Sequence, residues 1–284
     1  MKTLPVVLSI AGSDNSAGAG IQADLKAMSA LRVYGVTAVT CVVAEVPGKV
    51  SCIQPVDPAV VAEQIRLLFG AFPVAAVKTG MLHSAQTLRV VCAELSVFRS
   101  NGGRAPLVVD PVMVATSGDS LMQKDALADY RGKLLPMADL VTPNLDEVAV
   151  LWGQTVSGIE GMREAGQSLR AEYGTAFLIK GGHLQGEVAA DLLVEADGTE
   201  TWFKAPYVKG VSTHGTGCTY SAAIAAMLGR GADLRTAVEA AKRHVSAAIG
   251  GYLRWAAQEG SCATAVDALD HFAAWEDRRP DGER

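Results

Sequence analysis

Several absences narrow the possibilities at once. The chain carries no dense lysine or arginine run, and its formal net charge is -5. It therefore lacks the electrostatic footprint of a surface that binds a phosphate backbone or an anionic bilayer, so neither nucleic acid nor membrane is expected as a partner. The five cysteines, Cys41, Cys52, Cys92, Cys218 and Cys262, are odd in number and form no CxxC pair, which suggests neither a disulfide framework nor a zinc site. The apolar run in the opening MKTLPVVLSIAGSD breaks at Gly12, too soon for a secretory h-region or a membrane span, and a cytoplasmic protein is expected. Internal repeats and linkers rich in Pro, Gly or Ser are also missing. No GxxxxGK[ST] occurs, so any nucleotide chemistry needs another phosphate-binding design.

What is present is enough apolar material for a large core: 284 residues, 49% of them hydrophobic. A single domain over residues 1–275 is expected, followed by a charged, frayed tail, EDRRPDGER, over 276–284. Apolar runs at 6–11, 36–44, 74–78, 107–112, 140–142 and 177–180 read as strands buried on both faces. Between them, Ile21, Leu25, Met28 and Leu31 repeat at helical spacing, as do Val61, Ile65 and Leu68, then Leu88, Val91 and Leu95. This βαβ alternation predicts an α/β fold with a mainly parallel sheet. Two short runs around Asp197-Gly198 predict an edge hairpin, and helices are expected over 219–228 and 234–252.

Ligands of such sheets lie beyond the carboxyl ends of the strands. All six strand ends are polar: GSDNSAGAG, EVPGK, KTGM, DPVMVATSGD, TPNLDE and KGGH. The strongest local signal is GTGC at 215–218. Its glycines permit close backbone approach, and the free amides of the helix that follows form an anion site suited to phosphate. The same position is expected to lower the pKa of Cys218. Asp110, Asn144 and Glu147, on neighbouring strand ends, suit a magnesium-nucleotide, although Asn144 and Glu147 also fit a helix capping box. Lys180, ending an apolar strand, can neutralise phosphate charge or simply reach solvent. GAGIQA at 18–23 matches the dinucleotide pattern GxGxxA, with Glu45 as a ribose acid, but GSDNSA separates it from the first strand, where the fingerprint requires the turn to be immediate.

The motifs IAGSDNSAGAGIQADLKAMSA, VKTGML, VVDPVMVATSGDSL, VTPNLDE, LIKGGH and THGTGCTYSAAIAA together resemble the hydroxymethylpyrimidine/phosphomethylpyrimidine kinases of thiamine biosynthesis, over residues 8–249. The resemblance implies a ribokinase-like three-layer α/β/α fold and ATP-dependent phosphorylation of the hydroxymethylpyrimidine, then of its monophosphate. It implies Gly12, Asp24, Glu45, Met81 and Val112 in the pyrimidine pocket, with Cys218 near the hydroxymethyl group. It further implies Asp110, Asn144, Glu147 and Lys180 on Mg-ATP, with Asp110 and Glu147 toward Mg2+. The amides of Gly215, Thr216, Gly217 and Cys218 would hold the transferring phosphoryl, and a homodimer is implied. Cys218 is expected to act as general base for the first transfer.

One position departs from that pattern. Glu45 stands where these kinases usually carry glutamine, and an ionised glutamate can only accept hydrogen bonds; a neutral Glu45 or a protonated pyrimidine would reconcile the two. The alternatives are a pyridoxal kinase of the neighbouring cysteine-containing branch and a non-catalytic pyrimidine-binding protein.

Overall fold

The computed structural model describes residues 3–113, 121–123, 125–182, 188–211, 214–256 and 265–276. Its first half runs β1 (Val6–Asp14), α1 (Gly20–Ala30), β2 (Tyr34–Val46), β3 (Lys49–Pro55), α2 (Pro58–Ala71), β4 (Val74–Thr79), α3 (Ala85–Ser100) and β5 (Leu107–Val109). A short α4 (Ala126–Asp129) continues through the turns Tyr130–Leu134 and Leu135–Met137 into β6 (Leu140–Val141). Then follow α5 (Leu145–Trp152), α6 (Gly158–Tyr173), β7 (Ala176–Gly181), β8 (Val188–Val194) and β9 (Glu200–Pro206). The remainder is α7 (Thr216–Gly229), α8 (Leu234–Gly250), β10 (Leu253–Ala256), β11 (Ala265–Ala268) and α9 (Ala273–Glu276). Among the described residues no helix is long and apolar enough to cross a membrane.

Nine strands form one sheet in the order β3-β2-β1-β4-β5-β6-β7-β8-β9. The pairs from β2 to β7 are parallel, and each edge is antiparallel, β2 with β3 on one side and β7 with β8 and β9 on the other. Side chains alternate across this sheet as pleating requires. Val6, Leu8 and Ile10 join one core with Leu88, Val91 and Leu169, whereas Val7 joins the other with Tyr220, Ala223 and Val245. Two helical layers therefore cover a sheet buried on both faces, which is the predicted three-layer architecture.

The predicted hairpin is β8–β9, turning at Gly198 with φ +92. Other boundaries moved. The strand expected over 107–112 stops at Val109, since Pro111 has no N–H to continue the ladder. A second hairpin, β2–β3, turns at Gly48 (φ +85) and was not predicted. Its β3 is largely exposed, with only Val50 and Ile53 packed beneath, so it lacks a continuous apolar run. The frayed tail predicted over 276–284 lies, beyond Glu276, outside the described residues.

Helix α7 runs through the interior. Ala222, Ala223, Ile224, Ala225 and Ala226 are all fully buried, and their small size lets the helix lie close to the sheet. At its far end a Cβ on Gly229 would come 2.8 Å from Val7 Cγ2.

Candidate active site

The first turn of α7 opens on a cavity of about 510 Å3 at the carboxyl ends of the parallel strands. Gly215 makes the turn possible: its φ is +81, and a Cβ there would sit 1.8 Å from the Gly18 carbonyl oxygen. Its own carbonyl accepts the Thr219 amide at 2.9 Å. The amides of Thr216, Gly217 and Cys218 stand in the first turn, where a helix supplies no backbone acceptors. Thr216 Oγ1 is buried and has no hydrogen-bond partner among the described residues. A built Cβ on Gly217 would lie 3.2 Å from Lys180 Nζ and 3.6 Å from Asp110 Oδ2, so the helix end presses directly on that pair.

Asp110 follows β5 and is 2% exposed. Lys180 Nζ, near the end of β7, donates to its Oδ1 at 3.1 Å, and Thr142 Oγ1 donates to the same oxygen at 3.2 Å. Ser221 Oγ lies 3.2 Å from Oδ2. Burial alone would raise the Asp110 carboxyl, but Lys180 and Lys78 outweigh it and hold the group below its ordinary value. The two readings of Asn144 and Glu147 coincide. Asn144 Oδ1 accepts the Glu147 amide at 2.9 Å and Glu147 Oε2 accepts the Asn144 amide at 2.8 Å, a complete capping box for α5. The same box buries Glu147 beside Asp110 and Lys180. Burial pushes its carboxyl up to about 7, Lys180 opposing and the Asp110 charge reinforcing the rise.

Sheet order places these groups at the ends of β5, β6 and β7, and Gly12, Glu45 and Met81 toward β1, β2 and β4. Gly12, Glu45, Met81 and Val112 line the same cavity, over an apolar floor of Cys41, Val43 and Leu121. A Cβ on Gly12 would meet Cys41 Sγ at 2.8 Å. Burial raises the Glu45 carboxyl, helped by Asp14 and opposed by His214, which is the direction a neutral Glu45 requires.

Two expectations are corrected here. Asp24 does not line the cavity: it is fully buried on the inward side of α1, where Lys78 Nζ donates to both its oxygens at 2.9 Å and Ser9 Oγ donates to Oδ2. The Cys218 thiol is not depressed. Burial pushes it up to about 12, and the nearby Lys78 only partly offsets burial and the charges of Asp24 and Asp110. The direction favours a resting thiol: partial burial and the carboxylates of Asp24 and Asp110 outweigh Lys78 and the helix amides that would favour a thiolate.

The sequence reading missed Lys78, Asp14 and His214. Lys78 sat inside an apolar run, and its signal was a cation at an inward strand position ahead of Gly80. Asp14 and His214 lie within quoted motifs, but their proximity, with His214 Nε2 3.3 Å from Asp14 Oδ2, is tertiary.

A phosphomethylpyrimidine kinase family model matches residues 14–263. A hydroxymethylpyrimidine/phosphomethylpyrimidine kinase from Rhizobium meliloti is 42% identical over 271 residues, 95% of this chain and 98% of that protein. The thiamine biosynthesis bifunctional protein ThiED of Geobacter sulfurreducens is 43% identical over 243 residues, which span 86% of this chain but only 49% of that longer protein. Among solved structures, an ADP complex of Bacillus subtilis pyridoxal kinase superposes with a TM-score of 0.84 at 31% identity, covering 96% of this chain and 100% of that one. The fold is thus ribokinase-like, and the chain belongs to the phosphomethylpyrimidine kinase family.

Proposed function

We infer that the protein is an ATP-dependent kinase that phosphorylates 4-amino-5-hydroxymethyl-2-methylpyrimidine and then its monophosphate, yielding the diphosphate used in thiamine biosynthesis. The observation that carries this reading is the placement of the α7 first turn between an Asp110–Lys180–Glu147 cluster and an apolar acceptor pocket, all on one cavity. Phosphoryl transfer depends on positioning and charge stabilisation. The amides of residues 216–218 and the unpartnered Thr216 hydroxyl are donors for phosphoryl oxygens, and Lys180 supplies the cation.

Asp110 and Glu147 fit a hard divalent ion. They are adjacent buried carboxylates whose mutual repulsion a cation would relieve, and oxygen donors are what magnesium takes. Mg2+ held there by Asp110 and Glu147 would supply positive charge against the nucleotide phosphates. On the acceptor side, Gly12, Glu45, Met81 and Val112 are assigned to the pyrimidine; Asp24 acts beneath them through Lys78. Because its thiol is protonated, Cys218 is assigned to positioning the hydroxymethyl group rather than to deprotonating it. A homodimer is part of the reading, supported by the exposed apolar side chains Val42 and Val46 on β2, as are a cytoplasmic location and one catalytic domain over residues 1–275.

The test is ATP consumption with Mg2+, comparing hydroxymethylpyrimidine, its monophosphate, pyridoxal and no acceptor, with products separated by charge. Turnover of both pyrimidines supports the reading. Turnover of pyridoxal alone would replace it with the second reading, a pyridoxal kinase, which the close superposition on that enzyme keeps specific.

A further inference from the structure

Three segments that meet beside the Gly12 and Met81 side of the cavity bring together a donor set whose chemistry goes beyond the pyrimidine contact assigned to Glu45. Asp14 closes β1, Glu45 stands next to the last residue of β2, and His214 immediately precedes Gly215. One ligand-capable atom from each lies within 4.8 Å of the other two. Asp14 is 1% exposed, the other two are part-buried, and all three line the cavity.

The surroundings hold these side chains in place. The Asp14 carboxylate accepts the Ser16 amide at 2.6 Å and the Ala19 amide at 2.7 Å, so its orientation is fixed by the loop it starts. The His214 ring rests on Gly18, where a Cβ would come 2.8 Å from Cδ2. The Glu45 backbone is tied by its amide to Asn15 Oδ1 at 2.7 Å, while its carboxylate has no hydrogen-bond donor among the described residues. Outer contacts of this kind orient metal ligands in known sites.

Charge and donor chemistry point to one class of occupant. A protonated His214 carries one positive charge against two carboxyl groups, so the cluster is left with net negative charge when both are ionised. A divalent cation satisfies both acids and leaves the imidazole neutral, the form that ligates. One nitrogen with two carboxylate oxygens suits zinc, cobalt or manganese, whereas magnesium prefers oxygen and water. Three protein ligands facing an open cavity also leave coordination positions free. The lack of paired cysteines does not bear on a site built from imidazole and carboxylates.

We propose that Asp14, Glu45 and His214 form a binding site for a divalent transition-metal cation of the zinc class, separate from the Asp110–Glu147 pair. The site shares the cavity with Gly12 and Met81, so cation and acceptor binding are thermodynamically linked, each changing the affinity of the other by the same factor. The proposal rests on the donor geometry and stands whichever acceptor the enzyme uses.

The test is a cobalt(II) titration of the full chain in millimolar Mg2+, which keeps the hard-cation site occupied, followed by visible d–d absorption and then by displacement with zinc. One saturable equivalent is expected, and Glu45→Ala or His214→Ala should each weaken it by about tenfold or more. His214→Cys, which keeps a ligand, should retain the band with a shifted spectrum, and circular dichroism checks that each variant is folded. Absence of a saturable band in the wild-type protein, or a band that neither alanine substitution weakens, overturns the proposal.

Discussion

Lys78 and Asp24 meet in the interior with both side chains fully excluded from solvent, the ammonium 2.9 Å from each carboxylate oxygen. Burial alone would lower the lysine pKa, but Asp24 outweighs it and holds the ammonium above its ordinary value. This pair lies beneath the acceptor pocket and supplies the cation that faces Cys218 from below. Removing one partner leaves an unpaired buried charge, which typically costs about 3–5 kcal/mol. Asp24→Asn should therefore lower the urea unfolding free energy by about that amount, and the double variant Asp24→Leu/Lys78→Met should recover much of the loss. If the double variant proves as unstable as the sum of the single ones, the pair is not coupled as described.

The proposed magnesium site should bind in a pH-dependent way through Glu147. Its carboxyl is raised from 4.5 to about 7 in the metal-free site, and binding requires the ionised form. Affinity should rise with pH and level off above about 8, being roughly tenfold weaker at pH 6. Calorimetry in buffers of different ionisation enthalpy should detect proton release near pH 7, and Glu147→Gln should abolish it. The stability sign is opposite: a carboxyl raised on folding favours the native state at low pH, and that contribution is lost as pH climbs from about 4.5 through 7.

Cys218, with its thiol pushed up to about 12, should react slowly with iodoacetamide at pH 7. Cys218→Ala should slow both phosphoryl transfers by similar factors in single-turnover measurements, because a positioning group serves either acceptor. A loss confined to the first transfer would restore the general-base role expected from sequence.

Gly215→Ala introduces a Cβ 1.8 Å from the Gly18 carbonyl oxygen at a φ of +81. The anion site cannot keep its shape around that atom. The expected loss in kcat is about 10²–10³, the scale of removing a preorganised donor, with circular dichroism showing that the core remains folded. Near-normal turnover would mean that the α7 first turn does not hold the transferring group.

The sheet was legible because strands buried on both faces read as continuous apolar runs, such as Val6 to Ile10, alternating with helical spacing. The helix start at Gly215 was legible because closely spaced glycines before an apolar helix mark a tight turn into it. Local pattern did not reveal what tertiary burial decides. Asp24 and Cys218 were assigned by motif position, and their surroundings reversed both expectations: Asp24 found a lysine 54 positions away, and partial burial beside two carboxylates raises the thiol. The capping box of Asn144 and Glu147 was readable from sequence, and it buries the carboxylate proposed for the nucleotide site. Strand β3 was illegible because one of its sides has no core to face.

The contrast between α7 and the β2–β3 ribbon has an evolutionary consequence. The helix whose first turn forms the anion site is enclosed along its length by small side chains, so a change in its body disturbs the core. The ribbon that carries Glu45 lines the cavity with one face and leaves Val42, Val46 and Cys52 exposed on the other. Substitutions there can alter which acceptor is admitted at little cost to folding, while the apparatus that handles the nucleotide stays constant. Change of acceptor within such a lineage is thus open to gradual variation at one sheet edge, and the chemistry of transfer is comparatively frozen.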